Sequence, residues 1–343
     1  MDAPRFTVVR STRTSRISAL VALALVAALA AAPWWAGRAN LRLLGEVYSF
    51  VALASLWNLL AGYAGLVSVG QHAFVGLGGY MLFALAMFAG VPPLAAIPLA
   101  GLVGAVLALP LGPLLFRLQG AYFAIGTWVA AEVFRLGFAQ VSALGGGSGI
   151  SLPAGIVTSI SPDRALREAS TYWVALALAV GTIVVVVALL RSKFGLALTA
   201  IRDSEVASES LGVGIARTKL VVYVAVAGLT SMVGAFIFLQ KLRLSPDAGF
   251  SLNDWTAYVI FIAVIGGLGT IEGPIIGTVV FFLLRETLSE LGTVYLMILG
   301  AVAIVMMLKA PKGLWGTFSD RTGIVLIPVR RRVLLSDHTE TRK

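Results

Sequence analysis

The sequence contains no cysteine, and that absence removes disulfides, thiolate metal sites and thiol nucleophiles together. Histidine is almost as scarce: His72 and His338 are too few ligands for a histidine-rich metal centre. Charge is thin as well. Charged residues make up 12% of the 343 and apolar residues 59%, with a mean hydropathy of +0.94. Soluble domains run nearer about half apolar and a quarter charged. A soluble fold of this length could not hide so much apolar side chain, so lipid is the solvent for most of it.

The formal net charge of +10 raises the question of nucleic acid, and its distribution answers it. Eighteen of the 26 Lys and Arg residues fall in 1–16, at Arg117, in 191–219 and in 309–343. These places flank long apolar runs, as cytoplasmic faces of membrane proteins do. No polar face interleaves basic with aromatic residues, so nucleic acid is excluded as a partner.

The first apolar run, Ile17–Trp35, carries no charge. It is longer than the roughly 7–15 residues of a signal-peptide core and ends in Pro-Trp-Trp rather than at a small-residue cleavage site, so it reads as a retained helix. Further runs lie at Val47–Val67, Phe74–Ala89, Leu94–Phe116, Ala121–Phe138, Tyr172–Leu190, Leu220–Leu239, Thr256–Leu268, Pro274–Leu284 and Val294–Leu308. A crossing takes about 20 apolar residues. The runs at 256–268 and 274–284 are short and interrupted by Gly or Pro, which points to broken or re-entrant helices inside protein. The expectation is an all-α polytopic membrane protein of about ten segments, within a range of eight to ten, spanning 17–308.

Basic residues orient the bundle. The stretches 1–16, 191–219 and 309–343 should be cytoplasmic. Even numbers of runs separate them, six and then four, as shared sidedness requires. The stretches 140–171 and 240–255 then face outward, each with two basic and two acidic residues. Within 191–219, Ala200–Leu211 lacks Gly and Pro and reads as one short amphipathic helix ended by Gly212 and Gly214. Such a helix either docks onto a partner or lies on the membrane surface.

Few polar groups are expected inside the membrane: Asn58, Ser68, Gln71, His72, Glu132, Arg135, Glu272 and Arg285. Glu132 and Arg135, three apart on one helical face, can form an intramembrane ion pair; a solute contact is the other reading. The glycines between Gly62 and Gly79 suit either close helix packing or an unwound segment whose free amides and carbonyls meet a solute. Gly269, Gly273 and Gly277 have the G-x-x-x-G spacing of helix packing. A membrane enzyme would need a nucleophile with its base, clustered carboxylates or a metal set, and none stands in the bundle. An ion- or proton-coupled secondary carrier of small solutes remains as an alternative, with Glu132 and Glu272 as its only mid-depth acids.

RSKFGLALTAIRDSEVASESLGV, beginning at Arg191, resembles the cytoplasmic loop of branched-chain amino acid ABC transporter permeases of the LivM type. The likeness continues in order through GLVSVGQHAFVGLGGY (Gly65–Tyr80), LQGAYFAIGTWVAAEVFRL (Leu118–Leu136), GGGSGI (Gly145–Ile150), GGLGTIEGPIIG (Gly266–Gly277) and PKGLWG (Pro311–Gly316). It covers roughly 45–320. Gly79 and Gly126 depart from the family pattern, where Ala and a bulkier residue are usual. The resemblance implies a prokaryotic inner-membrane permease subunit paired with a second, related permease. Two ATP-binding subunits sit beneath, and an extracytoplasmic solute-binding protein delivers branched-chain or other hydrophobic amino acids. It implies coupling contacts at Arg202, Asp203, Glu205 and Glu209, with Gly212 as the turn. Candidate pathway residues are Asn58, Ser68, Gly70, Gln71, Gly76 and Tyr122. No cofactor is expected, since ATP belongs to the partners; GVGIARTK (Gly212–Lys219) lacks the second glycine of a phosphate loop.

The topology has a direct check. Cysteines introduced singly as Arg5→Cys and Leu335→Cys should resist impermeant maleimides in intact cells and react after permeabilisation. Labelling of either in intact cells overturns the assigned sidedness.

Overall fold

The computed structural model describes residues 6–9, 13–288, 292, 294–324, 326–328 and 332–335. Arg5 and Arg10 of the basic N-terminal stretch, and Arg330, Arg331, His338, Arg342 and Lys343 of the tail, lie outside the described residues.

A short strand, β1 (Phe6–Val9), precedes α1 (Arg13–Ala30). Helix α2 (Arg38–Asn58) runs into a wider π-helical turn, Leu59–Tyr63, before a non-helical stretch leads to α3 (Gln71–Phe88). Helices α4 (Pro93–Leu115) and α5 (Ala121–Ala139) follow. A connection holding β2 (Ile150–Ser151) and α6 (Ala154–Thr158) leads to α7 (Arg164–Arg191), the longest helix. Next come α8 (Lys193–Asp203), α9 (Glu205–Ser210) and α10 (Ile215–Lys241). After β3 (Arg243–Leu244) and α11 (Pro246–Gly249), a π-helical turn at Asn253–Ala257 opens α12 (Tyr258–Gly266). The chain closes with α13 (Glu272–Leu288), α14 (Val294–Lys309), α15 (Gly313–Thr322) and β4 (Arg332–Leu335).

The fold is all-α and polytopic. Each of the ten apolar runs is a helix, and among the described residues eight helical segments are long and apolar enough to cross a membrane. The two that fall short are α5, which carries Glu132 and Arg135, and α13, which is only 17 residues long. The strands are two short antiparallel pairs. β1 pairs with β4, bringing both ends of the chain together, and β2 pairs with β3, tying the two connections of the opposite face.

The broken helix expected at 256–268 is present, with Phe250 and Ser251 interrupting Pro246–Gly266, but three other sequence expectations need correction. Helix α13 is one unbroken helix. Pro274 sits in the first turn of α13, where its missing N–H costs nothing. Helix α7 begins at Arg164, capped by Asp163 Oδ1 accepting from the Ala165 N–H at 2.9 Å, so the 140–171 connection is eight residues shorter than its apolar pattern suggests. Last, Ala200–Leu211 is not one helix. Ser204 has an extended backbone (φ −163°, ψ 114°) and its hydroxyl caps α9 through the Ala207 N–H, so an elbow separates Asp203 from Glu205. A serine serves a helix better at its N-terminus than in its interior.

The core rests on small residues. A Cβ at Gly78 would stand 1.9 Å from the Ser231 carbonyl oxygen, and one at Gly234 2.2 Å from that of Val75, so α3 and α10 touch backbone to backbone. Gly101 and Gly104 let α4 onto the other side of α10, against Met232 and Ser231. Likewise Gly273 and Gly277 press on the carbonyl oxygens of Gly267 and Ile262. Gly269 does not belong to that stripe; it lies in the loop before α13 with φ +75°.

Gly78→Val should therefore force α3 from α10. Overpacking of this kind costs about 1–3 kcal/mol in ordinary cores, and here the obstacle is backbone. The melting temperature of the purified chain should fall sharply, whereas Gly181→Val on α7, with nothing within 4 Å, should leave it unchanged.

Candidate functional site

Irregular backbone inside a membrane span is confined to protein interiors and water-filled cavities, so residues 64–70 draw first notice. They connect the π-turn of α2 to α3, and they do not leave the bundle. Trp57 Nε1 donates to the Ser68 carbonyl at 2.7 Å, and Gln71 Nε2 donates to the Leu53 carbonyl at 3.0 Å. The segment thus climbs back along α2, and α3 starts level with Leu53. Ten residues separate Leu53 from Tyr63, about 15 Å of helix, or half the thickness of a hydrocarbon core.

Glycine makes this path possible. Gly65 takes φ +69°. At Gly70 a Cβ would stand 2.1 Å from the Thr127 carbonyl oxygen of α5, and the Thr127 hydroxyl accepts from the Val69 N–H at 3.0 Å. One edge of the segment is open: Gly65 is exposed and Val67 is 48% exposed. Gln71 Oε1 is buried with no hydrogen-bond partner among the described residues. Beside it, His72 Nδ1 lies 2.9 Å from the Thr256 hydroxyl.

Below this segment three elements meet at Gly62. Asn58 is bound on both sides of its amide to the loop before α13: Nδ2 donates to the Thr270 carbonyl at 2.7 Å, and Oδ1 accepts from the Gly269 N–H at 2.8 Å. Its side chain crosses Gly62, where a Cβ would stand 2.5 Å from Oδ1. The Gly62 carbonyl accepts from Arg202 Nη1 at 2.8 Å, reaching in from α8. On the same face Gly313 of α15 packs on Gly267, and the Glu272 carboxylate accepts from the Ile327 N–H at 2.8 Å, anchoring the tail.

The coupling candidates divide by what they touch. Arg202 turns inward to Gly62 and also donates to Asp203 Oδ1 at 3.0 Å. Glu205 pairs with Lys219, N–O 2.5 Å, across the elbow. Asp203, Glu209 and Gly212 are exposed, Gly212 with φ +79°. Two apolar neighbours that charge-based reasoning passed over stand out further: Val206 is 78% exposed and Leu211 81%. Hydrophobic side chains on a loop of mixed polarity give no sequence signal of their own; only the elbow reveals them as surface.

Among the pathway candidates, Ser68 and Gly70 belong to the unwound segment and Gln71 is the first residue of α3. Asn58 holds a loop. Gly76 faces the Phe250 ring, 2.5 Å from a would-be Cβ, and serves packing. Tyr122 is 74% exposed on α5, and its neighbour Phe123 is the one buried. Glu132 and Arg135 form an ion pair (Nη2–Oε1 2.6 Å), and Arg135 Nη1 also reaches Asp247 Oδ1 at 2.8 Å, clamping α5 to α11.

The chain is similar to curated permeases over most of its length. It is 28% identical over 317 residues to the "High-affinity branched-chain amino acid transport system permease protein LivM" of Salmonella typhimurium, covering 86% of this chain and 74% of that one. The protein of that name in Escherichia coli is 27% identical with the same coverage. A "Probable branched-chain amino acid transport permease protein LivH" of Methanocaldococcus jannaschii is 24% identical over 267 residues, 72% of this chain and 82% of its own. No solved structure matches the chain. Residues 39–308 match the family described as "Branched-chain amino acid transport system / permease component", and the chain belongs to that family of multi-pass membrane proteins.

Proposed function

We propose that this chain is one of two related permease subunits of a binding-protein-dependent ABC importer for branched-chain or other hydrophobic amino acids. It sits in the inner membrane of a prokaryote with both termini cytoplasmic, performs no catalysis, and binds no ATP itself. Two separate ATP-binding subunits sit beneath the permease pair, and one of them docks on the α8–α9 elbow of this chain. A loaded solute-binding protein docks on the opposite face, at 140–163 and 240–255.

The observation that carries this reading is the Arg202 bond to Gly62. It joins the exposed α8–α9 elbow to the end of the unwound segment. A movement of α8–α9 imposed by an ATPase would therefore pull on the base of residues 64–70. That segment has an exposed edge at Gly65 and Val67, Gly65 lying against Arg202, where water, solute or the second permease would meet it. Glu132 and Glu272, the acids an ion-coupled carrier would need, are both committed, to Arg135 and to the Ile327 N–H.

Two outcomes follow. Val206→Glu with Leu211→Glu should abolish co-purification of the ATPases. Burying such side chains is worth about 1.5–3 kcal/mol each, and a buried unpaired carboxylate reverses the sign. These positions test docking better than Glu205, whose reversal would also break the Lys219 pair. Arg202→Ala should instead leave the ATPases bound and still hydrolysing while transport falls at least about tenfold, as for a lost charge-assisted bond. Coupled transport at normal rate in either variant overturns the reading.

A further inference from the structure

On the face opposite the elbow, the ends of α2, α7 and α10 enclose a cleft of about 580 Å³. That size lies within the roughly 300–1,000 Å³ of small-molecule sites. Its cations are Arg38, Arg42, Arg164, Arg167 and Lys241; its only carboxylates are Glu46 and Glu168. Neither carboxylate is free to neutralise the set. Glu168 is shared by Arg38 at 3.3 Å, Arg164 at 3.1 Å and, more loosely, Arg42 at 3.8 Å. Glu46 is taken from its other side by both guanidinium nitrogens of Arg285, at 2.7 and 2.9 Å. Arg167 and Lys241 are left with no carboxylate within 4.0 Å among the described residues. Arg167 spends one N–H on the Ser161 carbonyl at 2.9 Å, and Lys241 Nζ stands 4.7 Å over the Trp255 ring. Beneath these charges the cleft is walled by Phe50, Ile160, Ile237 and Trp255.

We propose that this cleft binds a small anion-headed molecule, a carboxylate or phosphate joined to an apolar body. The excess of positive charge selects the head, and Arg167 and Lys241 are its contacts. The aromatic and aliphatic floor takes the body, and a low-dielectric wall strengthens the attraction over its value in open water. Two sources carry this chemistry: an incoming solute with a free carboxylate, and an anionic phospholipid from the adjacent leaflet. Only the identification of the first with the transported solute rests on the proposed function.

The test uses the full chain in nanodiscs of phosphatidylcholine. Calorimetry with 4-methylpentanoate, a branched carboxylate, is run on the wild type, on Arg167→Gln/Lys241→Gln, and on the charge-keeping pair Arg167→Lys/Lys241→Arg. In parallel, native mass spectrometry follows phosphatidylglycerol retained from mixed nanodiscs. The Gln pair should weaken binding at least about tenfold, as loss of two charge-assisted contacts requires, while the charge-keeping pair stays near wild type. Carboxylate binding with that pattern assigns the site to solute. Phosphatidylglycerol retention with that pattern, without carboxylate binding, assigns it to lipid. If the Gln pair does not fold, raised KCl should weaken whichever probe binds the wild type, since screening acts on the head. Equal binding by wild type and Gln pair, salt-insensitive binding, or no binding of either probe by a normally melting wild type overturns the proposal. None of these results touches docking at Val206 and Leu211, so the permease reading stands or falls separately.

Discussion

In hydrocarbon every backbone N–H and C=O must find its partner within the protein, and the rest of this structure follows from that constraint. Helices satisfy it segment by segment, which is why all ten apolar runs are helical and the strands are short pairs. Residues 64–70 break the rule, and the surroundings are built to absorb the breach. Trp57 Nε1, the Thr127 hydroxyl and the Leu60 carbonyl each take up a group that the missing helix leaves open. At the start of α3, Gln71 Oε1 is buried with no hydrogen-bond partner among the described residues.

The same solvent weakens the usual reason for helices to associate. Lipid is as apolar as leucine, so packing and close approach hold the bundle together. Gly78, Gly104, Gly234 and Gly277 each stand within about van der Waals reach of a neighbouring helix where any side chain would collide. One sequence stretch therefore does two jobs. Its first half, through Gly65 and Gly70, unwinds; its second, through Gly76, Gly78 and Gly79, packs. Unwinding and close packing thus fall to different halves of the stretch.

Charge is used sparingly and at the ends. Arg135 clamps Glu132 and Asp247 where α5 meets α11, Arg285 holds Glu46, and Arg202 reaches from α8 to Gly62. Each bond ties together elements that lipid alone would leave free to slide. The Arg202 contact differs because its acceptor is a carbonyl at the foot of the unwound segment.

By itself the sequence determined the solvent, the class and the order of the helices, because a run of apolar residues without charge has no other place to go. It also marked Gly62–Tyr80 and 191–219 as the unusual stretches, since glycine at that density and a long polar insertion are both exceptions within such a bundle. Tertiary structure decided what each exceptional residue does. Ser204 shows no break in composition, yet its hydroxyl caps a second helix and turns Val206 and Leu211 to the surface. Asn58 reads as a pathway residue until Thr270, more than two hundred residues away, is seen to accept its N–H. Gly269 has the spacing of a packing motif and the backbone of a turn. In each case the deciding contact lies between positions remote in the chain, and no local pattern of residues carries that information.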